Sequence, residues 1–299
     1  MTDFSTLVEQ AIAVGGSHKQ VKQKNLKNRL LIIASILLLA ALFFISPFYP
    51  FIRSLAVMGI YNKIQEQDSL IREEGIHLDI PGGLITGKAD WYPFTLTFTA
   101  NELYAKYIGE TDTKLTILYN FPSFAYLKGC SRLYDPQSVY YNSFYGAYLV
   151  RDSSNVSLAN GKLDADKVAD IAKFDFFHLV LGEFGLQKED ESFDFMVTER
   201  QNGIELAGYP DWTRIISQIT VNGSAHNKRE GVTSYLQYGA PGFGIIEWEF
   251  EPVSMYGIVY GRYFPEWDTG IYFYILGDEQ VCYDWEKEIL PNIILESRR

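Results

Sequence analysis

From Leu30 to Ile52 the chain carries 23 successive residues without a charge, and residues 30–46 (LLIIASILLLAALFFIS) are apolar apart from two serines. A helix rises ~1.5 Å per residue, so ~20 such residues span the ~30 Å hydrocarbon core of a bilayer. The pattern therefore predicts one membrane span over 30–52. Before it, Leu7, Val8, Ala11, Ile12 and Val14 make a short apolar face in a tail over 1–29, with Gly15-Gly16 as its expected stop. After it, Val57, Ile60, Ile64, Gln67 and Ile71 recur at helical spacing and Gly75 is a stop, which predicts a stalk helix over 53–75.

From residue 76 the period changes to two. Strands are expected at Tyr92–Thr99, Lys114–Asn120, Tyr140–Val150, Phe193–Thr198, Ile215–Val221, Thr233–Tyr238, Gly244–Phe250, Tyr256–Tyr263 and Gly270–Leu276. A helix is expected from Asp164, as N-cap, to about Leu181, and a short one over Asp284–Leu290 before Pro291. Many strands with few helices between them imply an α+β domain over 76–299, mostly antiparallel, with 151–162 as a candidate internal boundary.

Charge orients the chain. Lys19, Lys22, Lys24, Lys27 and Arg29 precede the apolar run, and the first cations after it are Arg53 and Lys63. Cationic flanks stay in the cytoplasm, so the N-terminus is expected inside and the domain outside the cell membrane. Residues 1–48 carry five cations against two anions; residues 49–299 carry 21 against 35. A signal peptide would have an apolar core of ~7–15 residues and a small-residue cleavage site close behind it. Here Pro47, Phe48, Tyr49, Pro50 and Phe51 follow instead, so an uncleaved signal-anchor is the expectation. An acidic balance does not suit a nucleic-acid partner, which needs a basic footprint. The expected partners are the bilayer, through 30–52, and a protein or glycan at the cell surface.

The candidate chemistry is thin. Gly82 to Ala89 nearly matches the phosphate-cradling G-x-x-x-x-G-K-[ST], but Ala89 replaces the hydroxyl that would hold magnesium and no helix follows. No serine-hydrolase elbow or short-spaced His/Cys metal motif is present, and no cofactor is expected. Cys130 and Cys282 fall on the exported side, where they would form a disulfide or remain two buried thiols. Glu247, Glu249 and Glu266, near Trp248 and Trp267, are the candidates for a carboxylate pair acting on envelope polymers. Tyr141 and Tyr145, with Trp248 and Trp267, are the candidate binding aromatics, because exposed tyrosine and tryptophan suit protein or glycan surfaces. The reading favoured is a non-enzymatic binding or assembly module, with a membrane-tethered hydrolase as the alternative.

Overall fold

The structure is a computed structural model. It describes residues 4–46, 48–49, 52, 60, 63–81, 94–99, 112–120, 124–125, 130–132, 137–151, 164–177, 188–222 and 252–298. The chain divides into two compact units, Met1–Tyr49 and Pro50–Arg299.

The first unit holds helix α1, over Phe4–Ile45, 42 residues long. It runs through Gly15-Gly16, where the sequence predicted a stop; a glycine inside a helix costs only about 1 kcal/mol, which neighbouring turns absorb. Within α1, Asn25–Ile45 is long and apolar enough to cross a membrane, and none of it is buried in the protein. The helix ends earlier than the predicted 52. Ser46 precedes Pro47, and a residue before proline disfavours helical backbone. Ser46 closes the last turn with its N–H on the Leu42 carbonyl (3.0 Å) and its hydroxyl on the Phe43 carbonyl (2.7 Å). The Tyr49 ring lies edge-on against Phe44, with centroids 4.8 Å apart.

In the second unit, residues 63–66 form a helical turn, and the helix then restarts instead of continuing. Ser69 caps α2 (Leu70–Glu73), accepting from the Arg72 N–H, and Gly75 ends it at φ +62°. Leu70 and Ile71 are buried in the domain. The Leu70 N–H donates to Thr116 Oγ1 (2.9 Å), and Glu73 pairs with Lys114 and with Arg151 (2.9 Å).

Among the described residues the domain is built on a seven-stranded sheet of β2 (Phe94–Thr99), β3 (Lys114–Asn120), β6 (Phe144–Arg151), β7 (Phe193–Leu206), β8 (Tyr209–Val221), β9 (Val253–Phe264) and β10 (Thr269–Gly277). Every neighbouring pair is antiparallel, and the order across the sheet is β2-β3-β6-β10-β9-β8-β7. In chain order the path leaves the middle of the sheet at β6 and reappears at its far edge as β7. It then returns strand by strand until β10 pairs with β6. Two small antiparallel pairs are also present among the described residues: β1 (Ile76–Asp79) with β11 (Ile294–Ser297), and β4 (Phe124–Ala125) with β5 (Cys130–Ser131). The domain is thus mixed helix and sheet, mostly antiparallel, as its period-two pattern implied.

Period-two alternation sorts the strand residues onto two covered faces. On one face, Leu115, Ile117, Tyr119, Phe144, Tyr148, Tyr272 and Tyr274 pack with Val168, Ile171 and Ala172 of α3 (Ala165–Asp175). On the other, Tyr145, Ala147, Leu149, Ile271, Phe273 and Ile275 pack with α2 and with Val281, Cys282 and Trp285 of α4 (Glu279–Glu288). Covering both faces explains why β6 and β10 are buried nearly end to end.

Several boundaries move. Tyr140–Ser143 is a turn and not the start of a strand: the Ser143 N–H donates to the Tyr140 carbonyl (2.9 Å) and Asn142 sits at φ 58°. Helix α4 begins five residues before the predicted Asp284, because Asp278 caps it by accepting from the Gln280 N–H. Asp164 caps α3 as expected, accepting from the Asp166 and Lys167 N–H groups. The strands expected at 233–238 and 244–250, and most of the 151–162 boundary, lie outside the described residues.

The β7–β8 connection carries a local fault. Leu206 pairs with Tyr209 across a two-residue turn, and Ala207 and Gly208 take φ 52° and 78°. Such hairpin turns need positive φ at both central positions, and alanine resists it. Ala207→Gly is expected to stabilise the protein by about 1 kcal/mol. Denaturation followed by tryptophan fluorescence should show a higher midpoint at an unchanged slope.

Candidate functional site

The site begins with an arginine on an apolar face. Trp212, Arg214 and Ile216 share one side of β8, and Trp212 and Ile216 are core residues. Arg214 is itself only 8% exposed. Its partner comes from α4, where Cys282 and Glu286 lie one turn apart and face the sheet.

The pair is bidentate. Arg214 Nε donates to Glu286 Oε1 (2.6 Å) and Nη2 to Oε2 (3.1 Å). The Tyr260 hydroxyl of β9 also donates to Oε1, at 2.7 Å. Arg214 Nη1 lies 3.5 Å from the exposed carboxylate of Glu199. Burial alone would lower the Arg214 pKa, but the hydrogen bonds and charge of Glu286 outweigh it and hold it above its ordinary value. Burial, reinforced by Glu286, pushes the Tyr260 hydroxyl up. Nearby, the Tyr256 and Tyr283 hydroxyls share a hydrogen bond of 2.5 Å.

Tyr260 and Glu286 of this network line one wall of a cleft of about 490 Å³ between the β7–β8 turn and the 3-10 turn at Leu290–Asn292 that follows α4. Ile204, Leu206, Leu290 and Pro291 supply apolar walls, and Glu205, Tyr260 and Glu286 supply polar groups. The volume falls within the range of small-ligand sites.

A second polar cluster is sealed. Asp175 at the end of α3 is 1% exposed; it accepts from the Tyr119 hydroxyl and, at 2.7 Å, from that of Tyr148. Burial raises its carboxyl well above the ordinary 3.8. A folded-state pKa above the unfolded one gives stability that is complete below about pH 4 and is lost as pH rises toward the folded value, at up to about 1.4 kcal/mol per pH unit. Asparagine keeps one donor and one acceptor for the two hydroxyls. Asp175→Asn should therefore gain on the wild type steadily from pH 5 to 8 in denaturant titrations. A difference that stays constant with pH would mean that the carboxyl is ionised in both states.

The predicted residues are scattered. Tyr145 is 1% exposed, and its hydroxyl donates to the Pro81 carbonyl (2.6 Å). Trp267 is 4% exposed and stacks on Phe264 at 4.8 Å. Both are core residues and not surface aromatics. Tyr141 is half-buried, and burial pushes its hydroxyl up to about 12. Glu266 is exposed on the β9–β10 turn; Glu247, Trp248 and Glu249 lie outside the described residues. Cys282 is a buried free thiol, one of the two outcomes the sequence left open for it. It donates to the Tyr256 carbonyl (3.5 Å), and burial, with Asp278, Glu286 and Glu279 around it, pushes its pKa up, which makes it a poor nucleophile. The side chain of Cys130 is outside those described. Among the described residues no group of three or more His, Cys, Asp or Glu side chains converges as a metal site would require.

Arg214, Glu286 and Asp175 are not singled out by the sequence patterns, although two of them leave a trace. Arg214 breaks the apolar side of a strand. Asp175 completes the spacing Val168, Ile171, Ala172, Asp175, which is the buried stripe of α3. The chain matches no protein-family model, no curated protein and no solved structure.

Proposed function

We propose that this chain is a membrane-anchored binding module. α1 crosses the cell membrane once with its basic N-terminal flank inside, and the sheet domain outside engages a partner through the cleft beside Glu286. The observation that carries this reading is the Arg214–Glu286–Tyr260 network at the cleft wall. A desolvated ion pair adds little to stability compared with apolar residues of the same volume, so stability alone does not call for a paired carboxylate at this wall. The apolar run and the Lys19–Arg29 cluster support the anchor and its orientation.

The test is native co-purification of the full-length chain in mild detergent, with mass spectrometry. Glu205→Arg reverses a charge at the exposed rim of the cleft with little risk to the fold. A stoichiometric partner held by the wild type and lost by Glu205→Arg supports the reading; a partner held equally by both places binding elsewhere. For orientation, protease added to intact cells should remove a C-terminal epitope and spare an N-terminal one.

A further inference from the structure

Glu286 lines the cleft, and among the described residues its carboxylate accepts three hydrogen bonds. An ionised carboxylate has about four lone-pair positions. Arg214 Nε and the Tyr260 hydroxyl take both on Oε1, and Arg214 Nη2 takes one on Oε2. Among the described residues nothing takes the second position on Oε2. The described lining carries two carboxylates, Glu286 and Glu205, and no cation; Arg214 lies behind Glu286 with Glu199 beside it, and Arg262, on the Tyr260 side of β9, is stacked on the rings of Tyr209 and Phe264. The complementary ligand is a second cation.

We infer that the cleft takes a primary ammonium group on a linear alkyl stem, as carried by a lysine side chain of a partner or by a free diamine. This rests on the cleft being the binding site. Ammonium suits the position better than guanidinium. A guanidinium seeks both oxygens of one carboxylate, and Arg214 already occupies that fork. An ammonium rotates to use a single lone pair on Oε2, and its remaining donors reach toward Glu205 or water. Ile204, Leu206, Leu290 and Pro291 give the methylene stem apolar walls to lie along.

The experiment is methyl NMR of the full-length chain in a nonionic detergent, reading the Ile204, Leu206 and Leu290 methyl groups. The probes are lysine capped at both ends, norleucine capped in the same way, and 1,5-diaminopentane, each at millimolar concentration. Capped lysine or the diamine should shift these methyls and norleucine should not. Stronger binding by capped lysine points to a protein-borne ligand, and stronger binding by the diamine to a free one. Glu205→Gln should weaken binding by about two- to fivefold, as should high salt, whereas Glu266→Gln, on the β9–β10 turn, should leave it unchanged. Equal shifts from lysine and norleucine would overturn the ammonium assignment and leave the cleft reading standing. No shift from any probe would also overturn the assignment, while the loss of a co-purifying partner in Glu205→Arg judges the cleft reading separately.

Discussion

Gly146→Ala is expected to destabilise the domain by about 3 kcal/mol or more, enough to prevent accumulation of folded protein. Gly146 lies inside β6, paired with Tyr119 on one side and Tyr274 on the other. A Cβ there would stand 1.8 Å from the Leu118 carbonyl oxygen and 2.7 Å from the Tyr274 hydroxyl. The first is backbone of the neighbouring strand and cannot rotate away. The second is occupied: the Tyr274 hydroxyl donates to that same Leu118 carbonyl (2.8 Å) inside the core. The methyl must therefore push a pair of central strands apart or break a buried hydrogen bond. Both steps disturb the stacked rings of Tyr148 and Tyr274, whose centroids are 4.3 Å apart. Gly203→Ala is the control. That glycine has φ +73° and nothing within 4 Å of the added atom, so only the left-handed backbone is penalised, by about 1–2 kcal/mol. Thermal unfolding of the two variants side by side should separate them clearly. If Gly146→Ala matched Gly203→Ala, β3 and β6 would not approach as closely as the structure places them.

The same glycine shows what sequence can and cannot reveal. Lys114–Asn120, Phe193–Thr198 and Gly270–Leu276 are legible as strands because each alternates and each carries β-branched or aromatic residues. Alternation also puts Tyr145 and Tyr148 on opposite faces, as the structure has them. What it cannot supply is cover. A tyrosine-rich strand with one wet face and one with two dry faces look alike until α2, α3 and α4 are placed, which is why Tyr145 and Trp267 read as surface residues. The turn at Tyr140–Ser143 is hidden by its own aromatics, which favour strands locally and lose to a positive φ at Asn142. The candidate site is hidden by distance. Arg214 and Glu286 are 72 residues apart, and only the return of the chain from β7 to β10, with α4 packed on the sheet beyond, brings them within hydrogen-bonding reach.

Arg214→Met is expected to cost about 3 kcal/mol, and Arg214→Met combined with Glu286→Leu to recover most of that loss. The Arg214 and Glu286 side chains are 10% and 15% exposed. Removing the arginine alone strands a carboxylate at a wall it shares with Leu206 and Leu290, with the Tyr260 hydroxyl as the hydrogen-bond donor that stays with it. Removing both charges leaves a methionine stem against a leucine, which suits the Trp212, Phe264 and Phe273 core beside it. Denaturant midpoints of the two single variants and the double variant form a complete cycle and give the coupling energy directly. A single variant within about 1 kcal/mol of wild type would mean that water reaches the pair and screens it. The double variant also bears on function. If it is as stable as the wild type, the ion pair is not needed to hold the domain together. Loss of the co-purifying partner in a chain that still folds would then assign the network to recognition.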